Sequence, residues 1–417
     1  MERPNGCKND GPFQPKRNGS DLVTLPRVEA RVAEDLAAIE RRVWDTLDHP
    51  SAYLSYDWLR ARSRVIRGRP RFIVVSGADG APLVSIPSYL VDSASHPGYD
   101  PVRVLQVDDL TDADVAPEAG GPRILSEFRA SLLQVGYPAL VVSAPGRSGG
   151  ISYRPGLDRG AREAAALAAV DAIERQAATD SASMICWLYF GEGDDDDLDR
   201  LLSSRGYLRC VVGAECYLPV TWSSFDGYVD SFSTRRRRTI RHEMAALAAA
   251  GARVDLHGAE VLGPELASLE LQWRGKYARG ADHAGTLADY AELQRHFGDG
   301  LRVFVASREG RALGFTVFLE RDRTWYSRFG GFDYSAGKLY LYFNLLFYHP
   351  LQAALDRDIT CIRHSIGAYE TKRSRGCMLR NVLAYVRWPN ASTASLVRAG
   401  LEVIDRSQRS RFTRIAS

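Results

Sequence analysis

Leu301–Asp322 reads LRVFVASREGRALGFTVFLERD, two apolar-rich runs on either side of a Glu-Gly pair, which is the pattern of a strand, a tight turn and a returning strand. Arg71–Val91, RFIVVSGADGAPLVSIPSYLV, repeats that grammar around Asp-Gly, and its Pro82 and Pro87 predict an edge or a bulge in the second strand. Outward from each hairpin the same succession follows. In the first half a helix is predicted over Val28–Leu47 and a second over Ala52–Arg62, before the hairpin. After it come a strand into a glycine-rich turn (Pro138–Gly150), a helix (Ala161–Ala178), a strand (Met184–Gly193), a short helix (Asp194–Tyr207) and a strand or strand pair (Leu208–Val220). In the second half the hairpin is followed by a strand (Thr324–Asp333), a long apolar helix kinked or restarted at Pro350, a strand (Ile359–Ala368), a short polar element (Tyr369–Gly376) and a closing strand (Asn381–Trp388). This is a duplication of topology rather than of sequence. It predicts an α/β chain, a mixed sheet with helices on both faces, built as two domains packed against each other, and their cleft is the default place for a site.

Composition agrees with that size and sets limits. The 417 residues are 45% apolar and 25% charged, with a formal net charge of +3, so no polyelectrolyte character points to DNA and any basic site is local. The expected division is a disordered tail over residues 1–22, a first domain over 23–219, a second over 220–390, and a helix with a basic tail over 391–417. Six cysteines show no metal-binding spacing and read as buried thiols, and no metal site is expected. No signal peptide or membrane-length apolar run is present, so the expectation is a cytoplasmic protein, monomer or homodimer.

One local basic cluster stands out. Phe232–Leu247, FSTRRRRTIRHEMAAL, spaces Phe232, Ile240, Met244 and Leu247 as one helix face, with Ser233 or Thr234 as N-cap and Gly251 as a stop. Arg235, Arg236, Arg237 and Arg238 then sit at the positive end of the helix dipole, with Arg241 one turn on, where they oppose helix stability. An anionic ligand removes that conflict, whereas a solvated basic face leaves it standing. The acidic run Asp194–Asp197 sits at a predicted helix start and reads as capping. Among the histidines no triad is legible; His242 reads as a surface residue and His364 as structural or near a strand end.

The half-domain order, with TRRRRTIRHE, QWRGKY, WYSRFGGFD and IGAYETKRSRG, resembles the acyltransferase fold called GNAT in its double form, the FemAB-like proteins, over roughly Tyr53–Trp388. The resemblance implies two tandem GNAT-like domains and transfer of an acyl group, in the wider family an aminoacyl group from aminoacyl-tRNA, to an amine or hydroxyl acceptor. Carried onto this chain, it implies Glu370 as the group that orients or deprotonates the acceptor, Lys372 as the holder of a phosphate or oxyanion, and Tyr326 as a catalytic residue. Arg373, Arg375, Arg328, Lys276, Tyr277 and the arginine cluster would bind substrate. Ala368 and Tyr369 depart from the family ending, and no long coiled-coil arm is present. Trp325 and Tyr326 alternate, so one faces the core and one the cleft.

Acetyl-CoA, the donor of ordinary GNAT proteins, needs a backbone cradle for its pyrophosphate; Arg147, Gly149 and Gly150 stand at the right place in the first half, and the second half has no such pattern. Aminoacyl-tRNA is therefore the preferred co-substrate, with no tightly bound cofactor. Acyl-CoA-dependent N-acetyl transfer is the alternative, and an inactive module binding an anionic ligand a second alternative.

Overall fold

A computed structural model describes residues 28–416 apart from 93–94, 108–109, 111–113, 116–119, 277–279, 281 and 389. The predicted tail over 1–22 and Tyr277 lie outside the described residues. The strands are β1 (Glu29–Ala33), β2 (Arg69–Ser76), β3 (Pro82–Val91), β4 (Ala139–Val142), β5 (Ser152–Tyr153), β6 (Met184–Gly191), β7 (Leu208–Pro219), β8 (Arg253–His257), β9 (Leu301–Arg308), β10 (Arg311–Arg321), β11 (Thr324–Phe332), β12 (Cys361–Ile366) and β13 (Met378–Arg387). They form one mixed sheet in the order β1-β2-β3-β4-β6-β13-β7-β12-β11-β10-β9-β8, with β5 alongside β3.

That order is a pseudo-two-fold with its last strands exchanged. Each half contributes an edge strand, a hairpin, a third strand, a helix, a strand parallel to the third (β4 with β6, β11 with β12), a short helix and a final strand. The final strand of each half crosses over: β13 pairs with β6 of the first half, and β7 pairs with β12 of the second. β7 and β13 pair with each other from Leu208↔Val386 to Tyr217↔Met378, broken only by a bulge at Val212, and this ladder joins the halves through backbone hydrogen bonding.

The sheet separates two apolar layers. One face carries helices Gly121–Val135, Pro264–Lys276, His283–Phe297 and Ala394–Ala416; the other carries Arg159–Thr179, Thr234–Ala249 and His349–Leu355. Trp44, Trp58, Trp187 and Trp325 are fully buried between them. The adjacent glycines of β11 admit two close neighbours: a Cβ on Gly331 would fall 2.3 Å from the Leu269 backbone of the helix above, and one on Gly330 2.3 Å from the Phe315 carbonyl of β10.

One expectation changes, and two resolve to their second alternative. The helix predicted over Val28–Leu47 is instead β1, a short turn capped by Asp35 and a five-residue helix, because the outer edge of β2 takes a strand, with Glu29 opposite Ser76 and Ala33 opposite Phe72. β3 lies inside the sheet and, of the edge or bulge expected, takes the bulge: Leu83, next to Pro82, has no opposite number between the Ser76↔Pro82 and Val75↔Val84 pairs, while Pro87 falls between the stretch of β3 covered by β5 and the stretch covered by β4, so on that side its missing N–H costs no ladder bond. The long apolar segment restarts as a helix at His349–Leu355 with Pro350 in its first turn, after a π-turn over Asn344–Tyr348, where Asn344 is buried and donates to the Glu243 carbonyl at 3.0 Å. Among the described residues no helix is long and apolar enough to cross a membrane. Cys186, Cys210, Cys216, Cys361 and Cys377 are free thiols.

Candidate active site

The strand exchange creates a cleft at the centre of the sheet. β6 ends at it with Gly191, β13 brings Arg380, β7 brings Glu215, β12 brings Arg363 and Ser365, and β11 brings Tyr326. The glycine-rich loop over 146–150 and the segment Pro50–Tyr53 close its first-half side. Two strands bulge where they meet it: Tyr189 has no opposite number between the Leu383↔Phe190 and Ala384↔Leu188 pairs, and His364 and Ser365 together face Cys216. Arg147, Tyr189 and Ser365, three cleft residues that are not glycine, hold left-handed backbone at φ 57°, 67° and 60°. Such conformations cost about 1–3 kcal/mol each and persist where the surroundings over-determine them, most often at functional sites.

Charge in the cleft is arranged as a chain. Arg363 forks onto Glu215, with Nε donating to Oε1 at 2.8 Å; Arg380 donates to the same carboxylate at 2.9 Å and pairs with Asp194 through its other arm. Glu215 is thus fully engaged, whereas Asp194 is bound through one oxygen and stays half-exposed. Burial pushes the Asp194 carboxyl above its ordinary pKa, against the pull of Arg380 and Arg363. Asp195, its neighbour, is the helix cap that accepts from the Leu198 N–H. Tyr326 is buried, with its ring 5.2 Å from that of Tyr53 and the Arg363 guanidinium 5.3 Å from its centroid. Burial raises its pKa in spite of Arg363, so the phenol stays protonated. Trp325 turns to the opposite face, bonded to Glu320 at 2.8 Å.

The residues singled out in the sequence divide among several places. Tyr326, Arg147, Gly149 and Gly150 line the cleft. Glu370 is exposed and is not among the cleft residues, so the half-exposed carboxylate at this cleft is Asp194 instead. Lys372 is buried behind β12, where its ammonium donates to the carbonyls of His364, Ser365 and Ile366 at 2.6, 3.2 and 3.5 Å and holds the bulge that presents Ser365. Burial lowers its pKa. Arg375 is committed to Glu243 at 2.7 Å and to the Tyr348 hydroxyl at 3.2 Å, a buried joint that docks the arginine helix; Arg373 is exposed and bonds the Ala416 carbonyl. Lys276 lies over the Tyr334 ring at 4.3 Å. Arg328 sits beside the cleft against Tyr53 and Trp58. His242 is exposed near Tyr340, and His364 is buried on the Phe347 ring.

The arginine helix runs over Thr234–Ala249 with Ser233 as cap. Arg237 and Arg241 lie 3.9 and 3.8 Å from Asp230, whereas Arg235, Arg236 and Arg238 have no carboxylate partner among the described residues. As a pyrophosphate cradle the glycine-rich loop fits poorly. The Gly149 N–H donates to the Tyr189 carbonyl at 2.8 Å and the Gly146 N–H to the Tyr99 hydroxyl at 2.5 Å, so two of its amides are already used.

Sequence reasoning missed Asp194, Glu215, Arg363 and Arg380. Asp194 was hidden in a run that reads as capping, and the other three alternate with apolar residues on strands that sequence cannot bring together.

A family model described as FemAB-like, peptidoglycan biosynthesis/recognition, matches residues 135–416. The crystal structure of FemX aligns with a TM-score of 0.54 at 11% identity, covering 89% of this chain and 100% of that one. A conserved protein of unknown function from Bacteroides thetaiotaomicron aligns with a TM-score of 0.52 at 11% identity, covering 86% and 100%. A tandem GNAT protein from the clavulanic acid biosynthesis pathway aligns with a TM-score of 0.43 at 12% identity, covering 87% and 98%. No curated protein sequence is significantly similar.

Proposed function

The chain belongs to the FemAB-like family and is an acyltransferase of tandem GNAT-like architecture; from that premise we propose that it moves an aminoacyl group from aminoacyl-tRNA to an amine or hydroxyl acceptor in the central cleft. The observation that carries the reading is the meeting of Asp194 and Tyr326 at one cleft, drawn from opposite halves and flanked by strained backbone. The acceptor nitrogen or oxygen attacks the ester carbonyl and forms the new bond, and its proton passes to the free oxygen of Asp194. Positive charge from Arg363, beside the Tyr326 ring, stabilises the oxyanion as it develops. The C–O bond to the ribose then breaks, and the departing oxygen takes the phenolic proton of Tyr326; exchange with solvent restores both groups. Holding both substrates in one cleft supplies much of the acceleration, and no covalent enzyme intermediate is needed.

The unpaired Arg235, Arg236 and Arg238 form the surface that receives the tRNA backbone. The test is a titration against charged and uncharged bulk tRNA, and separately against acetyl-CoA, at several salt concentrations. Saturable tRNA binding that weakens steeply with salt, and is lost when the three arginines become alanine, is expected. Tight acetyl-CoA binding with no tRNA binding overturns the reading. Acyl-CoA is retained as the second reading because the 146–150 loop follows β4 beside the parallel β4–β6 pair, where a cradle would lie.

A further inference from the structure

Two arginines near the glycine-rich loop have no anion to balance them. Arg328 carries a buried Nε that meets no hydrogen-bond acceptor and has no carboxylate partner among the described residues. Its guanidinium lies 5.0 Å from the Tyr53 ring centre and 4.9 Å from that of Trp58, aromatic faces that offset part of the desolvation cost. Burial opposes its charge, and the hydroxyls of Tyr53 and Tyr99 more than restore it. Arg147 comes from the other half on left-handed backbone, lies against Gly98, where an added Cβ would come 2.7 Å from its Nε, and also has no carboxylate partner among the described residues.

The two are tied to the same pair of rings. The Tyr99 hydroxyl accepts from the N–H of Gly146, next to Arg147, and neighbours Arg328. Tyr53 packs so tightly on Gly146 that a Cβ there would fall 2.6 Å from its ring, and its ring also meets the Arg328 guanidinium. By contrast, the other arginines of the cleft, Arg162, Arg363 and Arg380, each have a carboxylate. A half-buried guanidinium with no carboxylate is costly to keep, and a fold retains two of them on the same pair of tyrosines where a ligand supplies the missing anion.

We propose that Arg147 and Arg328, with Tyr53 and Tyr99, form a subsite for a phosphate group of a substrate. Two guanidinium forks match the charge and the several acceptor oxygens of a phosphate or diphosphate better than the two oxygens of one carboxylate. The subsite uses side chains from both halves and differs from a backbone cradle, whose amides are partly spent. It deepens the transfer reaction and rests on it only for the bearer of the phosphate, either the terminal nucleotides of the donor or the acceptor itself.

The probe is inorganic pyrophosphate, titrated calorimetrically into the full-length protein at constant ionic strength without tRNA. Saturable binding is expected, weakened about tenfold or more by R147M and by R328M and unchanged by R123A, an exposed arginine paired with Glu127 away from the cleft. Should R328M fail to fold, R147M decides, because Arg147 sits on a loop and is only half-buried. No binding to the wild type, equal binding to R147M, or tighter binding of acetate overturns the proposal. Competition by the trinucleotide CCA assigns the phosphate to the donor, and pyrophosphate binding without such competition assigns it to the acceptor. Since neither tRNA binding nor turnover is read, loss of this site and failure of the transfer reading give different results.

Discussion

Asp194 and Asp195 show how much one position decides. Both stand at the start of the same helix; Asp195 spends one oxygen on the Leu198 N–H and the other on Arg162, while Asp194 keeps one oxygen free in the cleft and shares Arg380 with Glu215. As the proton acceptor, Asp194 must be ionised, and burial has raised its pKa above the ordinary carboxylate value. Activity therefore rises with pH through that raised pKa, and D194N is expected to lower kcat/KM by about 10²-fold or more and to abolish the acidic limb of the profile. A D194N profile that kept the acidic limb would remove Asp194 from the proton path. Y326F is expected to lower kcat by a comparable factor with little change in thermal stability, since the ring and its packing on Tyr53 remain. Sequence exposed Tyr326 through its alternation with Trp325, but the Asp194 side chain could not be told from a cap, because both roles want the same residue at the same helix start.

The arginine helix was legible almost residue by residue: its cap at Ser233, its buried Ile240 and Leu247 and its stop near Gly251 follow from spacing alone. What spacing could not show is Glu243, buried on the same face, or its partner Arg375, 132 residues away. The side chains of the pair are 4% and 6% exposed, so removing one partner leaves an unpaired charge in the core. R375M is expected to destabilise the protein by about 3–5 kcal/mol, and E243M/R375M to recover much of that loss, measured by urea unfolding. If R375M cost no more than an exposed arginine, the helix would be docked by its apolar face alone. β1 failed in the other direction: VEARVAEDL satisfies a helical period locally, and only the open edge of β2 makes it a strand.

At the scale of the molecule, the duplicated hairpins announced two similar halves, yet the exchange of β7 and β13 left no trace in the sequence, because a strand's alternation does not name its neighbour. The exchange has a thermodynamic consequence. Removing the second half exposes both the β6 edge that holds β13 and the β7 edges that hold β12 and β13. Neither half then has a complete sheet, and long unpaired apolar edges favour aggregation over folding. The full chain is therefore expected to unfold in one cooperative transition by circular dichroism and by tryptophan fluorescence, with coincident midpoints, despite its length. A fragment ending near residue 222 is expected to be insoluble or to associate, whereas the same fragment co-expressed with residues 223–416 should yield a soluble heterodimer that survives dilution. Two separated transitions, or a monomeric first-half fragment with native-like near-ultraviolet dichroism, would mean that β7 can fold back onto β6 in the place of β13. The cleft depends on the answer, because Arg380 reaches Glu215 and Asp194 only when β13 lies between β6 and β7.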